Sequence, residues 1–247
     1  MHVSLVDFTG NGTANPARHA ANLLVFTKQT RLNMTPDLVS QIQGWSEAAM
    51  ERELAYMANT IPSSWEFVNY TFLLQDVTRA FTHQLVRTRN ASYAQQTMRV
   101  LDMSSGPGWT YETGPTVAAT EKRKAIYDRV MAAIAEGYKE LVEDGAAIED
   151  ARGLLPTNIH TNIVMQMNLR GLVELSRKRM SHRVQGEYRT ALMAIINLMT
   201  GAHPWVHLFL SRTQDVAARE LYDAFKADLP HAKMLELSKL LDKVRGV

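Results

Sequence analysis

Arg79, Arg87, Arg89 and Arg99 fall between Asp76 and Asp102 with no acid among them, accompanied by the hydroxyls of Thr88, Ser92, Tyr93 and Thr97 and the amides of Gln84, Gln95 and Gln96. A solvated face usually mixes both charge signs, so guanidinium forks and neutral donors at this density mark a binding surface for an anion. A phosphate ester is the expected guest. A second acid-free basic run, Arg177, Lys178, Arg179 and Arg183, lies between Glu174 and Glu187, with Gln185 and Arg189 beside it. Asn168 and Arg179 are eleven residues apart, about three helical turns, so on a continuous helix they project the same way and line one cleft. The ordinary role of Arg177, Lys178 and Arg183 is pairing with nearby acids or facing water, and Arg179 is the functional candidate of this run.

Composition narrows the chemistry. The 247 residues contain no cysteine, which removes disulfides, zinc–thiolate sites and thiolate nucleophiles. Methylation of a pyrimidine at carbon 5 through thiolate addition at carbon 6 is therefore closed. His83 and His182 read as ordinary polar histidines, and no His, Asp or Glu set shows ligand spacing, so no catalytic metal is expected. Ser92 and Thr97 have no His–acid partner nearby in sequence, which speaks against a hydrolase triad. The formal charge is +2, too balanced for a dedicated duplex binder, and no nucleic-acid partner is expected. No apolar run approaches the roughly 18 residues of a membrane span and no secretory leader follows Met1, so a cytoplasmic protein is expected.

These residues need elements to hold them. With 46% apolar residues the chain reads as one domain, 1–247. Val3 to Phe8 alternates as a strand, while Ala17 to Lys28 and Leu38 to Met57 are expected helices. A turn-rich break, Asn59 to Trp65, precedes an expected strand from Glu66 to Leu74 and a short helix from Val77 to Arg87 that delivers the arginine segment. Ser104 to Gly108 and Gly114-Pro115 read as loops. Ile126, Val130, Ile134, Tyr138 and Leu141 keep helical spacing between Val117 and Asp144, and Gly145 is placed to end that helix. Ala151-Arg152 sits on a further helical turn closed by Pro156. Asn158 to Met167 is a buried strand or an apolar helix, Asn168 to Met180 and Val184 to Met199 are helices, and Val216 to Val244 holds two more. Trp65, Tyr70, Met165 and Met167 are expected in the core. The fold class is α/β (α+β), mostly helix around a few strands that pair into a small sheet.

At this level of detail the chain resembles the flavin-dependent thymidylate synthases. Arg87-Thr88-Arg89, seven residues, then Thr97 is similar to their Arg-His-Arg, seven residues, Ser signature, with Ser92-Tyr93, Arg99 and Gln84 at matching positions. Ala151-Arg152-Gly153-Leu154-Leu155-Pro156 resembles a second element of that family. Asn168-Leu169-Arg170, Arg179 and Gln185-Gly186-Glu187 reproduce its Asn-x-Arg, distal Arg and Gln-x-Glu. Four separated elements in order, between Ser63 and Glu187, specify far more than one motif. Four departures stand out: Thr88 replaces the signature His, Thr97 replaces its final Ser, Gln95 replaces an acid, and Ile61 to Phe67 keeps Ser63 and Glu66 but lacks the family's histidines.

The resemblance implies a small, mostly antiparallel sheet flanked by long helices. It also implies FAD as cofactor, NADPH as reductant and methylenetetrahydrofolate as one-carbon donor, with dUMP methylated without an enzyme thiolate. By position, Arg99 and Arg152 would grip the nucleotide phosphate, Thr97 and the backbone at Met98 would donate beside them, and Gln84, Arg87 and Gln95 would face phosphate, sugar or base. Arg179 would lie against the pyrimidine carbonyl as the catalytic group. Ser63, Glu66, Arg87, Thr88, Arg89 and Asn168 would hold the flavin, supported by Arg170. Active sites would form where subunits of a homotetramer meet. The changes at Thr88 and Gln95 motivate a second reading, a flavin-dependent methyl or hydroxymethyl transfer to dCMP or UMP. A third, from a different class, is a helical oligomer or nucleic-acid module that uses its arginines for phosphate without catalysis.

Overall fold

A computed structural model describes residues 1–32, 34–104, 109–179, 186–210, 221–226 and 228–245. Asn168 to Arg179 falls within them, whereas His182, Arg183 and Gln185 lie outside, as does most of the loop expected from Ser104 to Gly108.

In chain order the elements begin with β1 (His2–Phe8), α1 (Pro16–Gln29), α2 (Leu38–Gln43) and α3 (Glu47–Thr60). A 3-10 turn, Pro62–Phe67, leads into β2 (Asn69–Thr78), α4 (Arg79–Leu85) and β3 (Ser92–Gln95). After α5 (Pro115–Ala118) and the long α6 (Glu121–Glu143) come α7 (Ile148–Ala151) and a 3-10 turn, Arg152–Leu154. Then follow β4 (His160–Asn168), α8 (Leu169–Arg179), α9 (Gly186–Ala202), the turn Pro204–Val206, α10 (His207–Leu210) and α11 (His231–Arg245). The strands form one four-stranded antiparallel sheet in the order β1-β2-β4-β3, with helices dominating the rest. No helix among the described residues is long and apolar enough to cross a membrane.

Local chemistry explains the boundaries. Pro16 opens α1 while the Asn15 side chain accepts from the Arg18 amide at 3.0 Å, the arrangement that a missing N–H and a short polar cap favour. Thr120 caps α6 in the same way, and Gly145, at φ +91, ends it where a side chain would be strained. The single helix expected from Leu38 to Met57 is two helices. Gly44 closes the first by donating to the carbonyls of Ser40 and Gln41, and Ser46 restarts the second by accepting from the Ala49 amide. The expected strand start at Glu66 shifts to Asn69, because Trp65 donates its indole N–H back to the Met57 carbonyl at 3.1 Å and draws its neighbours into the 3-10 turn. The helix expected from Val77 starts later too, since Thr78 caps it through the Phe81 amide. Asn158 to Met167 resolves as a strand, with Thr161, Ile163, Met165 and Met167 buried at alternate positions. In β2 the buried alternation runs through Tyr70, Phe72 and Leu74.

Two compact units emerge: Met1–Ser4 with Phe72–Met165, and Leu5–Thr71 with Gln166–Val247. The first packs Phe72, Leu74, Val77, Phe81, Leu85, Ile163, Met165, Met131 and Tyr138 as its apolar interior. Of the apolar positions that keep helical spacing along α6, Tyr138 is fully buried, but Ile126 and Val130 are each 48% exposed and Leu141 40%. In the second unit Ala21, Leu24 and Val25 of α1, Leu54 and Met57 of α3, Leu172 and Val173 of α8, and Leu192, Ile195 and Met199 of α9 are buried, as are Trp65 and Phe209, which meet edge to face.

Candidate active site

The arginine segment begins where β2 runs into α4. Arg79 and Ala80 donate their amides to the carbonyls of Ile159 and Thr157 at 3.0 and 2.7 Å, so the start of α4 is laced to the chain just beyond Pro156. Asp76, immediately before, sits at φ +53 with its amide on the Asn162 side chain, a strained kink of the kind that re-aims a strand near functional groups. Past α4, the Tyr93 hydroxyl lies 3.0 Å from the Leu85 carbonyl and 2.9 Å from that of Thr88, which pins the Arg87–Arg89 loop. Arg87 and Arg89 are exposed, and among the described residues neither has a carboxylate partner. Gln84 is half-buried on the same helix.

Glu149 gathers the two arginines expected to act together. Its carboxylate receives Arg99 Nε at 3.0 Å, and its backbone carbonyl receives Arg152 Nε at 3.0 Å. Thr97, two residues before Arg99, accepts the Arg99 amide at 3.1 Å, and Met98 lies half-buried between them. Arg79 joins this group, a residue the sequence reading did not assign. Burial and the nearby Arg152 charge hold its guanidinium below the usual arginine range. Among the described residues the one ion pair of these three guanidiniums is that of Arg99 with Glu149, which leaves an excess of positive charge, the condition an anionic ligand would relieve. A signal was available in the sequence, since Arg79 belongs to the same acid-free run. Gln95 has its amide on the hydroxyls of Thr82 and Thr161, at 3.1 and 3.4 Å.

The second unit carries the other candidates. Ser63 and Glu66 occupy the exposed side of the 3-10 turn Pro62–Phe67, while Ser64 and Trp65 are buried. Arg170 donates to Glu66 at 2.7 Å and to Glu174 at 3.0 Å, and those two bonds, Glu174 first, strengthen its hold on its proton. Asn168 is not part of a continuous helix with Arg179: it is the last residue of β4, and its side-chain oxygen accepts the Gly171 amide at 2.9 Å to start α8. Gly171 leaves room for Met167, whose side chain would meet a Cβ there at 2.8 Å. At the far end of α8, the Arg179 guanidinium stacks over the Tyr188 ring at 5.2 Å. Arg177 donates to the Phe209 carbonyl at 2.9 Å, a structural contact. Arg31, also unassigned from sequence, donates to Ser63 Oγ at 3.1 Å.

Comparison with known proteins decides the kinship of this arrangement. Residues 11–205 match the family described as thymidylate synthase complementing protein. The chain belongs to that family, the family of the flavin-dependent thymidylate synthases. A flavin-dependent thymidylate synthase of Geobacter sulfurreducens is 38% identical over 57% of this chain and 60% of its own length. Another, from Nitratidesulfovibrio vulgaris, is 34% identical over 68% of this chain and 69% of its own. One from Pyrococcus furiosus is 36% identical over 54% and 55%. The chain thus spans between about half and two thirds of the length of these relatives. Every site residue from Ser63 to Arg179 falls inside the family match.

Proposed function

We propose that this protein is a flavin-dependent thymidylate synthase that methylates dUMP at carbon 5, taking the carbon from methylenetetrahydrofolate and using FAD with NADPH as reductant. The observation that carries the proposal is the meeting of Arg99 and Arg152, from two separated sequence elements, on the single residue Glu149. The absence of cysteine agrees with a route that needs no thiolate. When bound, the flavin supplies the hydride.

Arg99 and Arg152 grip the nucleotide phosphate, exchanging their contacts with Glu149 for paired phosphate oxygens. Thr97 and the Met98 backbone donate beside them, and Gln84 and Arg87 reach the sugar side. Arg179, held over the Tyr188 ring, stabilises negative charge that develops at the pyrimidine carbonyl. Within the second unit the donors at Ser63 (hydroxyl), Glu66 (carboxylate), Asn168 (amide) and Arg170 (cation) are of the types that suit a flavin, and the resemblance assigns Arg89, and Thr88 in place of the family histidine, to the same cofactor. Arg170 holds Glu66 by a 2.7 Å bond and so positions the turn that carries Ser63.

A homotetramer belongs to the same proposal, supported by the exposed Ile126, Val130 and Leu141 on α6, an apolar stripe of the kind subunits cover. So do the reading of 1–247 as one domain, with β2 and β4 each contributing to both compact units, and a cytoplasmic setting where the nucleotide is met. A second reading, transfer to dCMP or UMP, is favoured by Gln95, whose neutral amide donates to Thr82 and Thr161 where an acid could only accept. Anaerobic incubation of reduced enzyme with methylenetetrahydrofolate and each pyrimidine monophosphate separates the two. Product from dUMP alone supports the first, product from dCMP or UMP alone the second.

A further inference from the structure

Two arginines reach the 3-10 turn Pro62–Phe67, and they differ in what balances their charge. Arg170 lies between Glu66 and Glu174, at 2.7 and 3.0 Å, so its charge is matched before any ligand arrives. Arg31 donates from Nη2 to Ser63 Oγ at 3.1 Å and more weakly to Ser64 Oγ at 3.5 Å, and among the described residues it has no carboxylate partner. Neutral hydroxyls orient a guanidinium without cancelling its charge, and a fork with five N–H donors keeps several for an oxyanion. The backbone fixes its root: just past α1, the amides of Arg31 and Leu32 donate to the carbonyls of Lys28 and Gln29 at 3.1 and 2.9 Å. Arg31 and Ser63 are both exposed and open to a ligand.

We infer that Arg31 binds the diphosphate of the flavin dinucleotide, with the Ser63 hydroxyl beside it. The assignment rests on the flavoprotein reading above. A diphosphate carries two negative charges that need an uncompensated cation, and among the described residues, of the two guanidiniums on this turn, Arg31 is the one that offers it. Arg170 instead positions Glu66.

The test is titration of the full-length, flavin-free protein with FAD and, separately, with riboflavin, which lacks phosphate, followed by flavin fluorescence. Arg31→Ala is expected to weaken FAD binding at least tenfold while leaving riboflavin affinity and the melting temperature of the flavin-free protein unchanged. Arg31→Lys recovers part of the loss. Should the alanine variant fail to fold, Arg31→Gln, which keeps an amide donor for Ser63, carries the same expectation. FAD binding equal to wild type in the variant overturns the assignment alone, as does an equal loss of FAD and riboflavin. A wild-type protein that binds neither flavin overturns the flavoprotein reading together with it.

Discussion

Glu149 holds with one side chain and one carbonyl what a phosphate ester would hold with several oxygens, and this makes Arg99 the most informative single position. Its ion pair with Glu149 is more than half exposed on the arginine side, so its own contribution to folding is below about 1 kcal/mol. Arg99→Ala should therefore leave stability nearly intact while weakening dUMP by about 2 kcal/mol, the scale of a charged hydrogen bond. Calorimetric titration reads both ligands, and equal weakening of dUMP and FAD would remove Arg99 from the phosphate site. Under the proposed function, Arg179 acts on rate instead. Arg179→Ala should retain flavin and lose roughly a hundredfold or more in turnover, and undiminished product formation would remove its catalytic role.

Secondary elements were legible wherever a cap or an alternation announces them, and less so where side chains act across segments. Gly145 marks a helix end in the sequence itself, whereas the break at Gly44 rests on its bonds to Ser40 and Gln41 together with the Ser46 cap, and the 3-10 turn at Trp65 rests on a bond that forms only once α3 exists. The same holds for His203, a residue the sequence reading did not single out. It is fully buried, its Nε2–H donates to the Thr9 carbonyl at 3.0 Å, its Nδ1 accepts from the Tyr70 hydroxyl at 2.7 Å, and Trp205 stacks on its ring. Burial pulls its pKa down from 6.5 to about 4. The unfolded chain then binds a proton that the folded one refuses, so stability is full above pH 6.5 and falls as pH drops toward 4, by up to about 3 kcal/mol. Urea midpoints at pH 7 and pH 5 should differ less in His203→Gln than in wild type. An identical pH slope in both would show that another group carries it.

At the scale of the whole molecule, the arginine clusters were readable as anion sites because no acid interrupts them, but which acid they meet in space was not, since Glu149 is fifty residues from Arg99. The apolar period of α6 was equally plain, and along it Tyr138 is buried while Ile126, Val130 and Leu141 stand exposed. Periodicity marks an apolar stripe without saying whether this chain or another covers it. If a second copy covers it, Val130→Lys should lower the oligomeric mass measured by light scattering, and an unchanged mass would place the interface elsewhere. The proposed function is decided by incubating the protein anaerobically with reduced FAD, methylenetetrahydrofolate and dUMP and weighing the nucleotide. It predicts a product heavier by one CH2 unit, and dUMP recovered unchanged while flavin is bound would contradict it.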